Sequence, residues 1–312
     1  MTPAFHRLRA FIRLGRFHFL AGGFVFHGLG VAAALYDGAA LDAGALLWGQ
    51  MAVTATQLMT HYANDYFDLA ADRANPTPTR WSGGSRVLPE GSLAPDTALI
   101  TALTLALAAM LAALTLTLAV RPGLLTLALL LLSILLAWSY SAPPLRLHSR
   151  GLGELTAALL VPGLTPLVGY YLQTGSLSLL PILAAAPLCL LQFAMLLAIE
   201  FPDAAGDAAA SKRTLVVRLG ARRAAYLFMA ILLATYALLP LLVLAGLPLP
   251  VAVAAALSLP LAVWQCWRVQ RGDWANPARW NGLALWSIVL LIGAAAAELA
   301  AFLGLIGEVF TP

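Results

Sequence analysis

Apolar residues run through this chain in long blocks, without the strict alternation of half-buried strands or the one-sided stripe of a surface helix. Blocks of about 20 residues, the length needed to cross a ~30 Å hydrocarbon core, recur from one end to the other and are separated by short clusters of Gly, Pro and charge. They predict nine membrane-spanning helices, with cores at 17–36, 43–63, 97–120, 123–141, 152–173, 179–199, 224–245, 248–267 and 282–304. Prolines 162, 166 and 187 fall inside two of these cores and predict kinks, which membrane helices tolerate when neighbours satisfy the freed carbonyls. A uniform Leu/Ala stretch such as 101–120 excludes the short alternating strands of a membrane barrel. The first block follows basic residues, as a secretory signal would. Its length and the further blocks behind it instead make it an uncleaved first helix.

Composition sharpens this picture. Of 312 residues, 61% are hydrophobic and only 10% charged, where a soluble domain carries roughly a quarter charged residues. With a mean hydropathy of +0.86, a water-soluble globule is excluded. Cys189 and Cys266 lie in or at the end of apolar blocks and read as small packing residues. Nine spans put the termini on opposite sides, and sorting the connections by parity leaves Arg121 alone on one side, with the other 17 of the 18 Lys and Arg residues on the N-terminal side. The positive-inside rule then places the N-terminus in the cytoplasm and the C-terminus outside. The net charge of +4 follows from that asymmetry. No basic stripe is interleaved with aromatics, so nucleic acid is not an expected partner.

More than half of the acids gather in two cytoplasmic connections. The first group closes the second span with Asn64, Asp65, Asp68 and Asp72, followed by Glu90 and Asp96. The second closes the sixth span with Glu200, Asp203 and Asp207. On a continuing helix, Asn64, Asp68 and Asp72 line one face, as do Asp203 and Asp207. Like charges at this spacing repel, so a cation is needed to offset them. A divalent metal is the economical choice, because Mg²⁺ binds through one or two carboxylates plus substrate phosphates. Arg73, Arg80 and Arg86 beside one cluster, and Lys212 with Arg213 beside the other, add groups that suit the remaining phosphate oxygens. A lone loop Asp is usually a solvated helix end; two clusters with matched spacing point to a site. Asp68 and Asp72 precede Asp203 and Asp207 by the same interval, which predicts two four-helix units, about 17–141 and 152–267, plus a ninth helix around a central cavity.

In these residues the chain resembles the UbiA superfamily of intramembrane prenyltransferases, over essentially its whole length. The family's N-D-x-x-D-x-x-x-D is matched by Asn64, Asp65, Asp68 and Asp72, and its second D-x-x-x-D by Asp203 and Asp207. Its G-K-R-T-L segment is matched by Lys212-Arg213-Thr214-Leu215, with Ser211 in place of Gly. Its Y-S-x-P-P-x-R-x-K is matched from Tyr140 through Arg146 to His148, with His in place of Lys. The 82–91 stretch looks most similar to the branch around 1,4-dihydroxy-2-naphthoate polyprenyltransferase of menaquinone synthesis. The resemblance implies one all-α integral-membrane domain over residues 1–312. It also implies Mg²⁺-dependent transfer of a polyprenyl group from its diphosphate to a small aromatic acceptor at the cytoplasmic face of the bilayer.

The roles it implies are residue by residue. Asn64, Asp68 and Asp72 hold one metal and Asp203 with Asp207 another, while Asp65 supports them; Lys212, Arg146, Arg73 and Arg213 grip the diphosphate. Tyr140 faces the allylic cation. Glu200 or His61 deprotonates or orients the acceptor, with a hydrogen-bonded packing role as the alternative for His61. Glu154 either caps the fifth span or belongs to the site. Other acceptors of the family are 4-hydroxybenzoate, homogentisate, a chlorophyllide or a haem precursor. A transporter is the rival of another class, disfavoured because the charges sit at helix ends, with Glu298 the nearest exception.

Overall fold

A computed structural model describes residues 3–310, and among these residues the chain is helical without strands. Nine long helices carry it: α1 Leu20–Tyr36, α2 Ala43–Phe67, α3 Pro95–Thr115, α4 Leu124–Ser141, α5 Gly153–Thr174, α6 Leu180–Glu200, α7 Ala221–Leu244, α8 Leu249–Gln270 and α9 Pro277–Phe310. Of four short helices, Pro3–Leu14 precedes α1, and Leu69–Ala74, Ala204–Ala209 and Leu215–Leu219 lie in the connections. Local signals set the boundaries. Asp42 caps α2 by accepting from the Ala45 amide at 3.0 Å, Pro95 opens α3, and Gly175 closes α5 in the left-handed conformation.

Eight of the helical segments, α1 being counted with the helix before it, are long and apolar enough to cross a membrane. The remaining one, α2, has the length at 25 residues but carries Gln50, Thr54, Gln57, Thr60, His61 and Asn64. That polar stripe lowers its hydropathy. Of the prolines expected to bend helices, Pro162 sits in a widened turn over Leu159–Leu164 and Pro166 starts the helical segment after it, whereas α6 runs through Pro187 unbroken.

The packing does not follow the two sequence units. One core joins α2, α3 and α4 to Val168, Tyr171 and Leu172 of α5; a larger one joins α1 to α6, α7, α8 and α9. Thus α1 packs with the second unit, α5 is shared between the two cores through Tyr170 on one side and Val168, Tyr171 and Leu172 on the other, and the two helices meet backbone to backbone. A Cβ on Gly30 would stand 1.9 Å from the Pro166 carbonyl oxygen. Small residues allow such approaches in membranes, where association depends on close packing. At the opposite end from the acidic clusters, Arg121 donates to the carbonyls of Leu172 and Gln173 at 2.9 Å each and closes the end of α5.

Gly30→Ala should therefore destabilise the detergent-purified protein by about 1–3 kcal/mol or prevent its folding. Gly293→Ala, where a Cβ meets nothing within 4 Å, should leave the melting temperature unchanged or slightly raised. Thermal unfolding followed by size-exclusion fluorescence checks the pair.

Candidate active site

Each aspartate motif sits where a long helix gives way to a short one. Asp68 follows the last residue of α2 and Asp203 lies just past the end of α6. Helical bonding resumes in both, the Asp72 amide donating to the Asp68 carbonyl and the Asp207 amide to the Asp203 carbonyl, each at 2.9 Å. The expected one-turn spacing is thus present with a break at its first member. The two short helices touch at Gly206, whose absent Cβ leaves room for Asn75 at 2.7 Å and the Ala71 carbonyl at 2.9 Å. Asn75 Nδ2 donates to Asp203 Oδ1 at 2.7 Å, so the end of the first motif holds the second.

The connection that follows, residues 75–94, folds over the motifs. Gly83 and Gly84 take left-handed backbone angles (φ 72° and 69°). The Gly83 amide donates to Asp203 Oδ2 at 3.1 Å, while Ser85 donates through its amide (3.1 Å) and its hydroxyl to Asp65 Oδ2. Asp65 is 1% exposed, and its other oxygen accepts from the Arg16 guanidinium. Lys212 stands between the motifs, 2.8 Å from Asp68 Oδ2 and 3.4 Å from Asp207 Oδ1. Asn64 Nδ2 donates to Asp68 Oδ2 (2.7 Å) and Ser141 Oγ (2.9 Å), and its Oδ1 accepts from Arg16 at 3.4 Å.

Charge compensation in this arrangement is incomplete. Burial pushes the Asp68 carboxyl up, but Lys212 and His148 outweigh it and hold the group well below the usual carboxylate range. Asp72 goes the other way, pushed up to about 8 by burial and by Asp65 and Asp68. Asp203 rises to about 6 through burial and Asp207, and Asp207 is raised chiefly by burial. Asp68 Oδ1 and Asp207 Oδ2 are buried without a hydrogen-bond partner in the structure. Among the described residues, no three His, Cys, Asp or Glu side chains lie close enough to enclose an ion unaided.

Below the motifs a cavity of about 1270 Å³, mouth included, runs into the bundle. Asn64, Asp68, Asp72, Tyr140, Glu200, Asp203 and Lys212 line its polar end, while Phe26, Met195, Leu196 and Ile288 are among its apolar walls. A second, largely apolar cavity between α2, α4 and α5 shares Gln57, Thr60, His61, Tyr140 and Val161 with the first. Tyr140 stacks on His148 with ring centroids 4.8 Å apart; His148 Nε2 lies 3.0 Å from Glu200 Oε1, and its Nδ1 lies 3.7 Å from Asp68 Oδ2. Burial and Lys212 lower the His148 pKa, but the carboxylates of Asp68 and Glu200 prevail and raise it to about 9. His61 Nδ1 donates to the Gly15 carbonyl at 2.9 Å, which fixes its tautomer and leaves Nε2 as an acceptor. Phe19 stands edge-to-face with His61 and with Trp81, and all three rings line the cavity.

Three cations expected to grip a diphosphate sit elsewhere. Arg73, Arg146 and Arg213 are exposed and outside the cavity lining; Lys212 alone of that set faces the acids. Arg16 does line the cavity and sets a guanidinium beside Asn64 and Asp65. Glu154 is buried behind Glu200, outside the cavity lining, with neither oxygen hydrogen-bonded in the structure. Asp207 is set back from the lining and reaches the site through Lys212.

Residues 24–289 match the model of the UbiA prenyltransferase family. Among solved structures, the apo form of a UbiA homolog from Aeropyrum pernix K1 superposes with a TM-score of 0.69 at 18% identity, covering 91% of this chain and 98% of that one. A UbiA homolog from Archaeoglobus fulgidus bound to GPP and Mg²⁺ gives 0.64 at 14% identity, covering 96% and 99%. A digeranylgeranylglyceryl phosphate synthase gives 0.64 at 15% identity, with the same coverage. No curated protein matches the chain in sequence.

The pair of half-buried Arg16 with buried Asp65 sets a stability prediction. Arg16→Met leaves the Asp65 carboxylate uncompensated and should cost about 3–5 kcal/mol. Arg13→Met, which breaks the exposed 2.9 Å pair with Glu90, should cost less than about 1 kcal/mol. Equal melting temperatures for the two variants in detergent would refute this account of Arg16.

Proposed function

The chain belongs to the UbiA prenyltransferase family, and from that premise we propose that it transfers a polyprenyl group from its diphosphate to an aromatic acceptor. The acceptor is 1,4-dihydroxy-2-naphthoate of menaquinone synthesis, the branch that the 82–91 stretch resembles. The observation that carries the reading is the meeting of two aspartate motifs around Lys212 at the head of an apolar cavity. With nine spans, the Lys and Arg asymmetry orients the chain so that this head lies at the cytoplasmic face.

The residues fit Mg²⁺. Two buried carboxylate oxygens lack partners, and the carboxyls of Asp72 and Asp203 are raised by burial and by neighbouring acids, a repulsion that a divalent cation completed by diphosphate and water would offset. Asn64, Asp68 and Asp72 would hold one ion and Asp203 with Asp207 another. Bound there, Mg²⁺ supplies Lewis-acid neutralisation of the leaving diphosphate.

The chain's own groups do the rest. Lys212, fixed by Asp68 and Asp207, stabilises charge that grows on the diphosphate as the allylic C–O bond breaks, and Arg16 supplies the guanidinium assigned by sequence to Arg73, Arg146 and Arg213. Tyr140 offers a ring face to the allylic cation, its other face resting on His148. The apolar walls of the cavity take the prenyl chain. Phe19 and Trp81 flank the mouth, where a planar acceptor can stack. His61 is oriented by Gly15 with Nε2 available, so it is placed to take the acceptor's proton; Glu200 is already engaged by His148. The 75–94 connection excludes water, which would otherwise capture the cation.

The direct test is diphosphate release from geranylgeranyl diphosphate by the purified protein, with Mg²⁺ and 1,4-dihydroxy-2-naphthoate each present or omitted. Release that needs both, with a prenylated naphthoate formed, supports the whole reading. Metal-dependent release indifferent to naphthoate moves the acceptor to 4-hydroxybenzoate or another family acceptor, and no release with several prenyl diphosphates reopens transport. In the active system, Asp68→Ala and Asp203→Ala should each lower turnover by about 10³-fold or more while the protein stays folded by size exclusion.

A further inference from the structure

Glu154, in the first turn of α5, is fully buried, and neither of its oxygens meets a hydrogen-bond donor. It does not cap its own helix, since no amide of that turn reaches it with hydrogen-bond geometry. Its carboxyl instead faces Glu200, at the end of α6, within hydrogen-bond reach. Glu200 is also buried; its Oε1 lies 3.0 Å from His148 Nε2, and its Oε2 is without a partner.

Two carboxyls thus meet in a dry space, and the nearest cation, His148, pairs with only one of them. If both were ionised they would repel, and Glu154 would be a buried charge with no donor at all. A single proton between them removes one charge and supplies the missing hydrogen bond. Because His148 engages Glu200, that proton belongs to Glu154.

The same turn of α5 is built against the imidazole. A Cβ on Gly153 would stand 2.4 Å from His148 Cδ2, so glycine is what lets the helix start this close to the ring edge. His148 is then bounded by Gly153 at that edge, by carboxylates at both nitrogens and by the stacked Tyr140 on one face. Where Glu200 stands therefore sets the tilt of His148, and with it that of Tyr140.

We propose that Glu154 is a positioning residue of the prenyl-transfer site: as a neutral acid it donates to Glu200, and through Glu200 and His148 it holds the Tyr140 ring against the allylic cation. Glu154 itself lies outside the cavity lining and touches no substrate. Its role in transfer rests on the prenyltransferase reading above; the hydrogen bond does not.

The hydrogen bond is tested without substrate. The full-length protein in detergent is compared with Glu154→Gln by infrared difference spectroscopy, in which a protonated carboxyl absorbs apart from ionised ones. The variant should lack one protonated-carboxyl band that shifts in heavy water in the wild type, and a difference spectrum without that band overturns the proposal whatever the activity. Turnover then tests the positioning. Glu154→Gln keeps a donor for Glu200 and should stay within roughly threefold of wild type in kcat, whereas Glu154→Leu leaves Glu200 Oε2 buried without one and should lower kcat roughly tenfold or more. In the Leu variant KM for geranylgeranyl diphosphate should be unchanged, and more of the chain should leave as prenyl alcohol, because a misplaced ring exposes the cation to water. A Leu variant that matches wild type in kcat and product share overturns the proposal, as does an equal loss in the Gln and Leu variants. Should the Leu variant not fold, the infrared band and the Gln variant decide. Absence of diphosphate release by the wild type would fail the prenyltransferase reading instead, with the infrared band still deciding the hydrogen bond.

Discussion

Lys212 holds the two halves of the active centre together. Its ammonium lies within 3.4 Å of one carboxylate from each aspartate motif, and it is itself only 7% exposed. Two acidic helix ends brought into contact without it would repel across a poorly hydrated gap. Burial works against the charged ammonium, but Asp68 and Asp207 overcome this and hold it protonated, its pKa raised above the ordinary value. The contact at Gly206, the bond from Asn75 to Asp203 and the fold of the 75–94 connection all presuppose that this repulsion is offset.

The bundle serves the same end. Polar side chains on α2 face a cavity inside the protein, where α1, α5 and α6 shield them from lipid, so the stripe that lowers the hydropathy of α2 is also the wall of the site. The packing of α1 against α5 where the two cores meet has a geometric consequence. The first span delivers Arg16, His18 and Phe19 beside motifs carried by α2 and α6, and the fifth delivers Val161 to the point where the two cavities meet. Two separate four-helix units would leave those residues apart.

Legibility in the sequence followed the range of the interaction. The relations of Asp68 to Asp72 and of Asp203 to Asp207 were readable because one helical turn fixes each. The contact of Arg16 with Asp65 was not readable, since the two are 49 residues apart and it depends on a left-handed turn after Pro3–Leu14. Arg73 and Arg213 were misplaced for a local reason: each directly follows a residue that faces the site, Asp72 or Lys212, and a neighbour in sequence points elsewhere. Arg146 belongs to a recognisable motif, yet the chain turns outward at φ 45° and leaves it in solvent. His148, by contrast, stands where the family has Lys and takes up a cation's place, between Asp68 and Glu200.

That substitution bears on how the centre is prepared for chemistry. An imidazole can stack where an ammonium cannot, and His148 uses its plane to support Tyr140 while its two nitrogens face carboxylates from α6 and from the end of α2. One ring thus fixes the orientation of the aromatic wall and spreads positive charge over both acidic elements. Lys212 does the equivalent work as a point charge on the other side of Asp68. With cations on two sides, Asp68 is held ionised, while at Asp72 burial, Asp65 and Asp68 outweigh the nearby Arg16 and Lys212 and raise the carboxyl. The asymmetry within a single D-x-x-x-D motif, one member held ionised and the other raised, follows from which neighbours the fold supplies, and it could not have been inferred from two identical letters four positions apart.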